Sequence, residues 1–132
     1  MFNFLKNLFG APKTDNKIIA AKVTKIEKHP NADRLRVISL TDGTNTIEPV
    51  VCGAFNFEVG DIVALALPGA TIAQNIHSPE HESFMLSTAK IRGVESQGMI
   101  CAEFELGLTN TPGDKPEIMI LPPDTKLGKM VV

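Results

Sequence analysis

The alternation of residues 17–28, KIIAAKVTKIEK, slips phase in its middle, and that slip constrains the fold more than any other stretch. Ile19, Ala21 and Val23 share one strand face, with Lys22 and Thr24 opposite, yet the next apolar residue is Ile26 and not Lys25. A one-residue slip turns every later side chain to the wrong face unless the strand carries a bulge or sharp bend. A long, bent first strand is what a small barrel needs, because that strand has to serve two sheets.

The stretches that follow read as short strands between turn signals. HPNAD, residues 29–33, is a turn in which Pro30 fixes φ and Asn31 and Asp33 offer turn hydrogen bonds. RLRVISLT, residues 34–41, predicts a second strand with Arg34 and Arg36 on one face. An Asp-Gly hairpin signal leads to a third strand over 46–52, where Pro49 has to sit at an edge or a bulge. IVALAL, residues 62–67, is an unbroken apolar run and predicts a buried fourth strand. After a polar excursion at 73–83, FMLSTAKIR predicts a fifth strand over 84–92, with Lys90 and Arg92 on one face and a turn at Gly93. CAEFEL, ended by Gly107, predicts a short helix, and EIMILP, residues 117–122, a closing strand. The fold class predicted is all-β: a five-stranded OB-type barrel with a short helix and a C-terminal closing strand. With 132 residues the chain is long enough for one domain, assigned to 17–132. Residues 1–16 form a separate segment, with Phe2, Leu5, Leu8 and Phe9 at helical spacing and a linker marked by Pro12.

Enzyme chemistry finds no footing in these residues. There is no phosphate loop, no nucleophile elbow and no cofactor motif. His77 and His81 have metal-binding spacing for a helix, but Pro79 between them prevents one, so no metal site is assigned. Glu95, Glu103 and Glu105 read as solvated charges, because residues two apart on a helix do not face each other. Cys52 and Cys101 are too far apart for a zinc motif and read as reduced thiols in or near a core. No targeting signal or membrane-length apolar run is present, which makes the cytoplasm the default location.

Charge is polarised. The net charge is −2, but residues 1–36 carry eight Lys or Arg against three acids, and residues 37–132 carry five against twelve. A polarised surface can offer a local basic stripe to nucleic acid despite an acidic total. The candidates are Arg34 and Arg36 on strand two, Lys90 and Arg92 on strand five, and Lys22, Lys25 and Lys28 along the bent first strand. Asn31 and Ser96 can add hydrogen bonds. Trp and Tyr are absent, so any stacking on bases falls to Phe, His or Arg. Charge placement alone balances this reading evenly against ordinary solvent-facing charges.

Four motifs tip the balance. HPNADRL at 29–35, VCGAFN at 51–56, ALPGA at 66–70, and KIRGVESQGMIC followed by ELGL within 90–108 resemble the OB-fold tRNA-binding domain family, in its form near the N-terminus of the bacterial phenylalanyl-tRNA synthetase beta chain. The resemblance spans roughly residues 17–132 in order. It implies a non-catalytic module that binds tRNA by structure more than by sequence, with no cofactor and no metal. It also implies binding positions at His29, Asn31, Arg34, Lys90, Arg92, Ser96 and Met99; Arg36, Lys22 and Lys25 join them from strand geometry. Partners implied are tRNA, a synthetase subunit or a second copy of the chain, and no membrane. The chain departs from the family in its short Phe/Leu-rich start and its acidic loop IHSPEHESF. It reads as a free-standing homologue or a piece of a longer synthetase chain, with the start at MFNFLKNLFG pointing to the first. A homodimeric or synthetase-docking protein-interaction module is the alternative function.

Overall fold

The computed structural model describes residues 17–131, so the amphipathic segment expected at 1–16 lies outside the described residues. Eleven residues of extended chain, Ile18–Lys28 (β1), serve two partners. Residues 18–22 pair antiparallel with Ile62–Ala66 (β4), and residues 22–28 pair antiparallel with Arg36–Thr41 (β2). The register shifts between Val23 and Lys25, where Thr24 is the extra residue. The phase slip in the sequence is therefore a bulge, and it lies close to the point where β1 changes partner.

Strand β3 (Thr46–Cys52) pairs with β2 at the edge of the sheet. Its own register shift falls where Glu48 and Pro49 oppose Ser39, which is how the edge tolerates a proline. On the far edge of β4 lie two short strands, β9 (Met99–Ile100) and β10 (Ile120–Leu121). The result is a six-stranded sheet ordered β10-β4-β1-β2-β3, with β9 beside β4. Two small hairpins complete the fold: β5 (Thr71–Ile72) with β6 (Phe84–Met85), and β7 (Ala89–Ile91) with β8 (Val94–Ser96).

Burial follows from strand alternation. Ala21, Val23, Val63 and Leu65 face one core, together with Ile38, Leu40, Val50, Phe57 and Ile100. Ile18, Ala64 and Ala66 face a second core with Ala70, Ile72, Cys101 and Leu106. Both faces of the β1–β4 ribbon are thus covered, and all five residues of β4 are buried. This is why its sequence is an unbroken apolar run. Cys52 and Cys101 are both buried and unpaired, as the sequence predicts.

Four expectations need correction. The fold is all-β, but the sheet does not close into a five-stranded barrel by a continuous ladder. Between β3 and the end of β8 stand a Gln97 N–H bond to Pro49 O (2.8 Å) and a Val51 N–H bond to Ser96 Oγ (2.9 Å). The predicted fifth strand is two pieces. Phe84 and Leu86 pack on the second core, whereas Ala89–Ile91 folds back on Val94–Ser96 through a two-residue turn at Arg92 and Gly93, both with positive φ (51° and 93°). The predicted second strand begins at Arg36, which leaves Arg34 in the preceding turn.

The predicted helix is a single turn. Glu105 Oε1 accepts the Ala102 N–H (2.8 Å), and Leu108 N–H and Gly107 N–H bond back to Glu103 O and Phe104 O (both 3.0 Å), with Gly107 at φ 78°. Both end caps are present with no helix between them, because one turn carries the nucleation cost without propagation. Glu105 is correspondingly a half-buried cap and not a solvated charge.

Two outcomes follow. Burial pushes the Glu105 carboxyl above its usual range, against the lowering effects of the Ala102 bond and nearby His77. An acid whose pKa is raised on folding holds its proton longer folded than unfolded, so stability declines as pH rises from the unfolded value towards the folded one. Urea titrations across pH 4–7 (about the relevant window) should show this slope in the native chain and a flatter profile in Glu105→Gln. At Gly98, an added Cβ would stand 2.7 Å from Ala66 O and 3.2 Å from Leu65 Cδ1, a backbone clash where β9 meets β4. Gly98→Ala should cost about 1–3 kcal/mol by urea denaturation.

Candidate nucleic-acid interface

The turn after β1 and the β7–β8 hairpin are held together by one histidine. His29 is 1% exposed. Its Nδ1 accepts the Asn31 N–H (3.0 Å), so the proton resides on Nε2, which donates to Ile91 O (3.0 Å). A carbonyl only accepts and an amide N–H only donates, so this pair of partners selects the neutral Nε2–H ring. Asn31 Nδ2 adds a bond to Arg92 O (2.9 Å). Gly93 lets the two segments approach, since an added Cβ there would meet Asn31 Nδ2 at 3.1 Å. The latch joins residues about sixty positions apart and fixes the hairpin tip.

That tip presents charge. Arg92 occupies the turn and Lys90 sits in β7 opposite Glu95. Arg34 is exposed in the neighbouring turn. Among the described residues Arg34, Lys90 and Arg92 make no ion pair. The cations of β1 differ: Lys25 pairs with Glu27 (3.3 Å), and Lys28 pairs with Asp33 (3.6 Å). Such exposed pairs add little to stability, but they neutralise the local field that a polyanion would feel. Lys22 is exposed farther along β1, opposite Thr41 and Ile62.

The predicted residues therefore separate. His29, Asn31, Arg34, Lys90 and Arg92 gather at one end of the molecule. Ser96 belongs to the framework beneath them: it is 3% exposed, and its hydroxyl accepts the Val51 N–H and donates to Gly98 O (both 2.9 Å). Met99 packs on the second core. Arg36 does not share a strand face with Arg34. Its Nη2 donates to Ala54 O (3.3 Å) and Phe57 O (3.2 Å), and its guanidinium lies over the Phe55 and Phe57 rings. Lys22 and Lys25 stand apart on β1. Sequence reasoning assigned no role to Asn56, which bonds both the N–H and the C=O of Ile118 (3.0 Å each) and ties two loops together. Its signal was its place in VCGAFN.

The Glu105 carboxylate is spent as a cap, Glu103 is exposed, and His81 packs edge-on against Phe104 (4.8 Å between centroids). Burial pushes both thiols up, away from reactivity. Among the described residues no helix is long and apolar enough to cross a membrane.

Removing the latch should loosen the tip before the core. His29→Ala deletes two hydrogen bonds and leaves buried partners unsatisfied, a loss of about 2–4 kcal/mol. Amide exchange in residues 91–94 should accelerate more than in β4; uniform acceleration would place the role of His29 in the core instead.

Comparison with known proteins gives this arrangement relatives. The family described as “Putative tRNA binding domain” matches residues 18–130. The phenylalanine–tRNA ligase beta subunit of Chlamydia pneumoniae is 46% identical over 112 residues, 85% of this chain and 14% of that subunit. Those of Chlorobaculum tepidum and Syntrophotalea carbinolica are 38% and 40% identical over 95% and 88% of this chain, and over 15% and 13% of their own lengths. The chain thus spans about a seventh of the length of these relatives.

Proposed function

The chain belongs to the tRNA-binding domain family, homologous to a segment of phenylalanine–tRNA ligase beta subunits, and from that premise we propose that it is a non-catalytic module that docks tRNA on the latched end of its sheet. The observation that carries this reading is the contrast in charge. Among the described residues Arg34, Lys90 and Arg92 make no ion pair, although Glu95 lies across the hairpin from Lys90, while Lys25 and Lys28 of β1 are paired. A hydrogen-bonded latch orders the backbone that carries Arg92 before any phosphate arrives, and contacts to the nucleic-acid backbone read shape more than sequence. The near-closure between β3 and the end of β8 supports a distorted OB-type barrel as the fold of a single unit over 17–132. The module works in the cytoplasm, as part of or beside a phenylalanyl-type synthetase.

Binding of bulk tRNA should fall steeply with salt, because each neutralised phosphate releases counterions. Lys90→Gln with Arg92→Gln should flatten the log–log salt slope by about two and weaken all tRNAs alike. Gel shifts over a salt series measure this. An unchanged slope would move the contact surface elsewhere, and absent binding by the native chain would remove the reading.

A further inference from the structure

Phe55 is the one phenylalanine among the described residues that is exposed, at 55%, whereas Phe57 and Phe104 are buried. An isolated exposed phenylalanine is unremarked surface. This one is built into a support. The Arg36 guanidinium lies 4.5 Å from its ring centroid and 4.8 Å from that of Phe57, and two carbonyls hold Arg36 in that plane. One face of Phe55 is thus covered by a fixed cation, and the exposure is left to the rest of the ring. The ring borders a cleft of about 380 Å³ shared with Gly53, Asn56, Lys115, Pro116 and Glu117. The Asn56 bonds to Ile118 pin the two walls of that cleft to each other. Gly53 in turn lies against the Arg34–Leu35 turn: an added Cβ would stand 3.8 Å from Arg34 O and 3.4 Å from Leu35 Cδ2.

We propose that Phe55, backed by Arg36, is a stacking platform for one unpaired nucleobase of the bound RNA. The proposal rests on the tRNA-docking reading and adds to it a contact that is not electrostatic. A rigid aromatic face offers stacking to any base, and a duplex that keeps its bases paired cannot supply one. Lys115 in the same cleft puts a cation within reach of the attached phosphate. The chain holds no Trp or Tyr, so no larger ring competes for this role.

That absence also supplies the test. Phe55→Trp creates a protein with a single tryptophan, at the platform, and Val59→Trp creates a control on the same loop, where Val59 is 58% exposed. Bulk tRNA and single-stranded oligoadenylate should quench the emission of F55W, and a long RNA duplex at equal phosphate concentration should not. V59W should respond to none of them. Phe55→Ala, checked for an unchanged melting temperature, should weaken tRNA binding by about 5- to 150-fold with the salt slope intact. If the native chain shifts tRNA but F55W is not quenched, or F55A binds normally, the platform is overturned and tRNA docking survives. Equal quenching by duplex, or equal quenching of V59W, also overturns it. If the native chain shifts no tRNA, both readings fall together.

Discussion

The two-sided burial of the β1–β4 ribbon sets the terms for the rest of the fold. With apolar cover on both faces, water reaches none of the peptide groups of β4, so each needs a partner within the protein. One edge is met by β1. The other is met by two fragments, β9 and β10, each two residues long, since satisfying five residues of β4 asks no more of them. Alanines at 64 and 66 let the second core approach on one face, while Val63 and Leu65 fill the first core on the other. The edge is as tight as the faces: where β9 meets β4, Gly98 has no room for a Cβ against Ala66 O.

Where ladders stop, polar side chains take over the joining. His29 ties the turn after β1 to the β7–β8 hairpin, Ser96 ties that hairpin to β3, Asn56 ties the loops at 53–57 and 112–118, and Arg36 ties β2 to the loop after β3. Each bond runs from a side chain to backbone, so it orders a loop without adding a strand. A net hydrogen bond is worth about 1 kcal/mol, but leaving a buried partner unmet costs more, which makes these joints exacting. The groups they leave in solvent are Arg34, Lys90, Arg92 and Phe55, on segments already ordered before any ligand arrives.

What the sequence disclosed follows from the range of the interactions. The bulge at Thr24 and the burial of β4 were legible because alternation is a local pattern with one structural meaning. The third strand was legible to its ends at Thr46 and Cys52 because turn residues bracket it. The hairpin at Arg92-Gly93 was missed because its first turn residue is an arginine at positive φ, a conformation that arginine seldom adopts. The helix was a false reading of real signals, since a capped single turn carries the same Glu and Gly that bound a longer helix. The burial of His29 and Ser96 was not legible, because polarity in a motif says nothing of burial. Beside one local bond each, they have partners 62 and 45 residues away, beyond any local pattern.

The chain is acidic overall, and this bears on how it meets a polyanion. A surface of net charge −2 repels nucleic acid on most approaches, and the paired lysines of β1 offer little relief. The end that gathers Arg34, Lys90 and Arg92 is the attractive approach on the docking reading proposed above. Long-range charge acts first and without regard to base identity; stacking acts at contact and requires a base out of its helix. Gly53, in the loop that carries Phe55, lies against the Arg34–Leu35 turn, which brings the second requirement near the first. An RNA that satisfies both has phosphates and an unpaired base in one fixed relation, which is a statement about shape. Selectivity for a folded RNA over a plain duplex then needs no sequence-reading hydrogen bonds from this chain.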